Sequence, residues 1–167
     1  MKKTKKIALT GVLTALAFAF SYIEFLIPFD SLGIPGIKPG FANLVIMAAL
    51  YTLGLPYAAF ISVVRIVLSF LLFGNVTSLL YSAAGGLLSL AVMFILKKSN
   101  LFGEVGVSTA GAAAHNLGQA AVSFIVLAFG AVVYYLPFLL FSSAVFGVIN
   151  GLLLKLILKR TEKLFKT

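Results

Sequence analysis

The chain has no cysteine, no tryptophan, a single histidine and only four acidic residues in 167. Without cysteine there is no disulfide frame, no iron–sulfur cluster and no c-type haem attachment. One histidine cannot supply both axial ligands of a b-type haem, and zinc sites need three or four clustered ligands. The carboxylates stand apart, at Glu24, Asp30, Glu104 and Glu162, whereas magnesium-dependent chemistry on diphosphates gathers several of them in one place. No glycine-rich Walker loop is present, so the chain is not expected to hydrolyse ATP. Charge is scarce overall: 10% of residues, with 62% hydrophobic, against about 25% charged in a soluble domain. These shortages exclude a soluble domain and a disulfide-stapled secreted scaffold. They also point away from catalysis by this chain on its own.

The charge that is present is basic, with a formal net value of +9. Its distribution argues against nucleic acid as a partner and for a lipid bilayer. Lys2, Lys3, Lys5 and Lys6 precede the first apolar run, Lys97 and Lys98 follow another, and Lys155, Lys159, Arg160, Lys163 and Lys166 close the chain. Basic clusters at the ends of apolar runs mark membrane topology. A crossing helix needs roughly 20 apolar residues, and the breakers divide the sequence into spans at about 7–27, 41–53, 57–73, 76–96, 107–129 and 132–158. An even number of spans places all three clusters, 11 of the 13 basic residues, on the cytoplasmic side. The expectation is an all-α membrane protein over 1–167: one integral domain, a compact bundle of six transmembrane helices, N-in and C-in. The first apolar run exceeds a signal-peptide h-region and no small-x-small cleavage site follows it, so it reads as a retained helix.

Polar groups inside a bilayer are costly and ask for a partner or a purpose. Glu24 lies roughly 25 Å along the first helix, which predicts a position at the outer interface, as a solvated carboxylate or as one wall of a pocket opening outward. Arg65 lies about 12 Å into the third span, near the midplane, where no carboxylate is expected beside it. An arginine there keeps its proton and needs a carboxylate, a ring of carbonyls or an anionic ligand. His115 and Gln119 share one face of the fifth span, Gly111 continues that face and Asn116 adjoins it. This polar stripe serves either as glue between helices or as the lining of a site. Asn43, Asn75 and Asn150 suit caps or interhelical bonds. On the first helix Gly11, Ala15 and Ala19 form a small-xxx-small stripe, which packs either within the bundle or against another protein.

A basic arm, a first helix reading Ile7-Ala8-Leu9-Thr10-Gly11-Val12-Leu13-Thr14-Ala15-Leu16-Ala17 and six compact spans resemble the substrate-binding S components of energy-coupling-factor vitamin transporters. Gly36-Ile37-Lys38-Pro39-Gly40-Phe41-Ala42-Asn43, Leu72-Phe73-Gly74-Asn75, Ala84-Gly85-Gly86-Leu87-Leu88-Ser89 and His115-Asn116-Leu117-Gly118-Gln119 are similar to the Gx transporter family, also called heptaprenyl diphosphate synthase component I. Pro39 departs from the aliphatic residue expected there and is read as re-angling the second helix. The resemblance implies a small-molecule ligand taken from outside, and docking through Gly11, Ala15 and Ala19 onto another membrane protein, a coupling or redox subunit. It draws the pocket from Glu24, Lys38, Asn43, Arg65, Asn75, His115, Asn116 and Gln119, for a vitamin-like, quinone or isoprenoid ligand, in a bacterial cytoplasmic membrane. Two further functions follow from the family likeness. One is a subunit of flavin-based extracellular electron transfer, with a non-covalent quinone or flavin as cofactor. The other is a non-catalytic membrane partner of a prenyl diphosphate synthase.

Overall fold

The computed structural model describes residues 2–27, 39–126 and 129–165, without the side chains of 129–132, 135 and 162–165. Among these residues there is no strand, and six helices follow one another: α1 (Lys3–Leu26), α2 (Phe41–Thr52), α3 (Leu55–Leu72), α4 (Val76–Ser99), α5 (Glu104–Val126) and α6 (Phe129–Phe165). Among the described residues four segments are long and apolar enough to cross a membrane: Lys3–Leu26, Leu55–Leu72, Val76–Ser99 and Leu136–Thr161. The helices overrun the apolar runs at several ends. Lysines extend α1 and α6, because a helix continues outside hydrocarbon wherever its backbone bonds are made, whereas hydropathy reports only the crossing stretch. At 37 residues, α6 is about 55 Å long, well beyond one hydrocarbon thickness.

The helix ends follow local chemistry. Gly54 takes φ 96° ahead of α3, which carries proline in its first turn, where the missing N–H costs nothing. Asn75 and Ser78 close a reciprocal capping box at the start of α4, with both bonds at 2.8 Å. That helix ends on Lys97 and Lys98, favourable beside the negative end of the helix dipole, with Asn100 left-handed after them. The start of α2 differs. Its N-cap, Gly40, is left-handed at φ 74° and has no side chain to cap with. Pro39 stands outside this helix, before Gly40, so it does not bend α2 from within.

Twelve residues make α2 short for a membrane span, and its surroundings explain why. From Leu44 to Leu50 every residue is buried, and α2 touches all five other helices. A helix apolar all round belongs in an interior, and one enclosed by protein need not match the bilayer in length. Around it, α1, α3, α4, α5 and α6 pack in that order, each against the next. The last three lie closest together. A Cβ on Gly118 would sit 2.7 Å from the Ala84 carbonyl oxygen of α4, and one on Gly147 would sit 2.6 Å from Thr109 Cα of α5. Glycine is what lets these backbones meet, as membrane helices commonly do.

Candidate binding cavity

A cavity of about 160 Å³ opens between the helices, with all six contributing to its wall. From the third helix comes Arg65, only 8% exposed. Its Nη1 donates to Ser21 Oγ of α1 at 3.2 Å, while its Nε has no hydrogen-bond partner. One turn on, buried Ser69 Oγ is likewise without one. Gly86 of α4 makes room on the other side, since a Cβ there would meet Ile66 Cδ1 at 3.2 Å and Ser62 Oγ at 3.5 Å.

Glu24 is also 8% exposed and lines the same cavity. The backbone N–H of Phe41 donates to its Oε1 at 2.6 Å. The carboxylate thereby caps α2, at the positive end of a helix whose own N-cap residue cannot. Its charge also acts on the Arg65 guanidinium. Of the two roles open to Glu24, the pocket wall is the one this position supports, and the expectation that no carboxylate stands near Arg65 is corrected. Depth counted along a helix locates Cα atoms, and the long arginine side chain closes the difference by reaching to Ser21 on α1. On the far side Asn150 of α6 donates to the Pro39 carbonyl at 2.8 Å. The entry to α2 is thus held by α1 and α6 together, directly over the cavity.

The fifth helix supplies the rest of the polar wall. Gln119 Nε2 lies 3.1 Å from His115 Nε2, so the amide donates and that ring nitrogen accepts. Gly85 of α4 gives the imidazole its space: a Cβ there would lie 3.0 Å from its Cε1 and Nε2. Asn116 donates to the Leu139 carbonyl at 2.9 Å and to Ser143 Oγ at 2.7 Å. Asn43 of α2 donates to Ser89 Oγ of α4 at 3.0 Å. Rings from Phe25, Phe70, Phe73 and Phe146 form the apolar part of the lining together with Leu44, Met47, Ile66 and Leu79.

Seven of the eight residues drawn into the pocket from sequence therefore meet at one cavity: Glu24, Asn43, Arg65, Asn75, His115, Asn116 and Gln119. Lys38 lies outside the described residues. Asn75 works as the α4 cap while also lining the cavity, and Asn43 and Asn116 bond across helices, so the two readings of the polar stripe coexist. Sequence reasoning missed Ser21 and Ser69, and it had Gly85 and Gly86 as part of a family motif without a place at the cavity. Ser69 was recoverable, being four residues after Arg65 and so on its face; nothing local in the sequence marks Ser21. Among the described residues no three His, Cys, Asp or Glu side chains gather as a metal site would need.

The small-residue stripe of α1 points away from all this. Gly11, Ala15 and Ala19 are exposed, and a Cβ on Gly11 would have nothing within 4 Å. Packing within the bundle, one of the two uses open to the stripe, is not what it does.

Comparison with known proteins agrees with this architecture. The model of the family described as heptaprenyl diphosphate synthase component I matches residues 13–157. Among solved structures, the chain is similar to one described as the S component of a bacterial ECF transporter, with a TM-score of 0.74 and 17% identity. That similarity covers 99% of this chain and 100% of the other. No curated protein matches.

Proposed function

We propose, for a chain that belongs to the heptaprenyl diphosphate synthase component I family and has the fold of a transporter S component, that it is the small-molecule-binding subunit of a membrane transport system. In this reading the cavity receives its ligand from the outer side of a bacterial cytoplasmic membrane, and the chain catalyses no reaction by itself. The observation that carries the reading is Arg65. A guanidinium is costly inside a bilayer, and this one is buried in a cavity wall with an N–H unspent. A purely structural arginine would have all its donors engaged, because burying an unused donor costs about 1–3 kcal/mol. A scaffold for a prenyl synthase would have no use for a polar chamber reached from six helices. The exposed Gly11, Ala15 and Ala19 stripe suits a second membrane protein, since small residues let a partner helix approach closely.

The test is native mass spectrometry of the full chain purified in mild detergent, paired with an absorption spectrum and an organic extract. The expected result is a stoichiometric small molecule that is lost in Arg65→Ala and weakened in His115→Ala. A chromophore that responds to reductant would move the reading to electron transfer through a quinone or flavin. A folded protein that carries no small molecule and copurifies only with another polypeptide would refute the binding role.

A further inference from the structure

The wall around Arg65 also says what kind of molecule would fit, on the premise that the cavity is a ligand site as proposed above. Among the described lining residues the charged side chains are Arg65 and Glu24, and the carboxylate already acts on the guanidinium. Glu24 lies one turn beyond Ser21 on α1, and Ser21 is the residue that Arg65 Nη1 bonds, so a carboxylate of the protein stands on the helix face that meets this cation. On α3 hydrogen-bond donation remains unanswered at two atoms, Arg65 Nε–H and the hydroxyl of Ser69, one turn apart on the same face, both buried and both without a partner. Among the described residues a second negative charge placed here would have no cation left to itself, in a medium where an unpaired charge is expensive. A neutral acceptor oxygen would satisfy both donors and add no charge.

Size and shape restrict the ligand further. A cavity of about 160 Å³ is close to the ~150 Å³ of an engineered apolar void that accepts benzene. The chamber therefore holds a head group of about one ring, with any remainder of the molecule in the mouth. Phe25, Phe70, Phe73 and Phe146 in the lining suit a flat ring, which aromatic neighbours contact by stacking or edge-on. The geometry points to an uncharged ligand whose planar, ring-sized head presents a carbonyl oxygen to Arg65 Nε and Ser69 Oγ.

The probe for this assignment is the dialysable small-molecule fraction of a rich growth medium, split by anion exchange into an anionic pool and, after cation exchange of the flow-through, an uncharged pool. The full chain in lipid nanodiscs is incubated with each pool and washed, and retained compounds are identified by mass spectrometry. The same is done with Ser69→Ala and Arg65→Lys, both checked by gel filtration and circular dichroism for an unchanged fold. The lysine keeps the charge opposite Glu24 but cannot place an N–H at the Nε position. Expected is a carbonyl-bearing compound from the uncharged pool, its retention lowered about three- to tenfold by Ser69→Ala and at least about tenfold by Arg65→Lys, as befits one neutral and one charge-assisted bond. A compound retained from the anionic pool would overturn the ligand class and leave the binding subunit standing. An uncharged compound held equally by parent and both variants would overturn the Arg65–Ser69 subsite. A folded parent that retains nothing from either pool would overturn this assignment and the transport reading together.

Discussion

Two glycine-to-alanine substitutions, identical in chemistry, are expected to act in opposite directions. In a helix interior alanine is favoured over glycine by about 0.8–1.0 kcal/mol, and both Gly11 and Gly118 lie inside helices. At Gly11 nothing lies within 4 Å of the new Cβ, so the gain is kept and stability stays level or rises. At Gly118 the Cβ would lie 2.7 Å from the Ala84 oxygen, 2.9 Å from the Ala84 carbonyl carbon and 2.9 Å from Gly85 Cα. All three atoms are α4 backbone, which cannot swing aside as a side-chain tip can. The helices must separate, at the roughly 1–3 kcal/mol typical of an overpacked core. The two variants should then differ by about 1–3 kcal/mol, or roughly 2–12 °C in Tm for a chain of this size. Thermal unfolding followed by circular dichroism at 222 nm suits a protein without tryptophan. The displaced Gly85 also faces His115, so Gly118→Ala should bind its ligand more weakly as well. If Gly118→Ala melts with Gly11→Ala or above it, close packing of α4 on α5 is not what stabilises the bundle.

Other perturbations separate the cavity's parts. Glu24→Gln keeps an oxygen for the Phe41 N–H but removes the charge beside buried Arg65. Breaking a buried pair costs about 3–5 kcal/mol, so this variant should melt well below the parent, and Glu24→Gln combined with Arg65→Gln should recover part of the loss in a thermal-melt double-mutant cycle. Asn150→Leu strips the donor from the buried Pro39 carbonyl; a drop of about 1–3 kcal/mol in thermal stability is expected, together with weaker ligand retention because the start of α2 is released. An Ala15→Leu variant, on the exposed face of α1, should melt within about 0.5 kcal/mol of the parent yet lose copurification of its membrane partner. Unchanged copurification would reject the stripe as a docking face.

The fold was legible where apolar runs and breakers carry the signal, and the cavity was legible where polarity is out of place. Six helices could be counted because glycine and proline punctuate at Gly54-Leu55-Pro56 and Phe73-Gly74-Asn75, and lysines close the fourth run. Arg65 and His115 stood out because a bilayer makes such residues costly. What periodicity could not show is who stands opposite whom. Glu24 and Arg65 are 41 positions apart in sequence, and their relation depends on how α1 packs against α3. Asn150 meets Pro39 across 111 positions, a pairing no local pattern encodes. Gly85 and Gly86 carry no side chain, yet they decide the site as much as the polar residues do, one giving space to His115 and the other to the α3 side chains around Arg65. A glycine pair inside an apolar helix looks in sequence like simple close packing. Here the absence of two Cβ atoms on α4 lets an arginine on one side and a histidine on the other face a common chamber. Adding methyl groups at Gly85 and Gly86 should therefore displace His115 and the α3 side chains around Arg65 and reshape the site without substituting any polar residue, which makes these two positions the natural first targets for altering which ligand the cavity accepts.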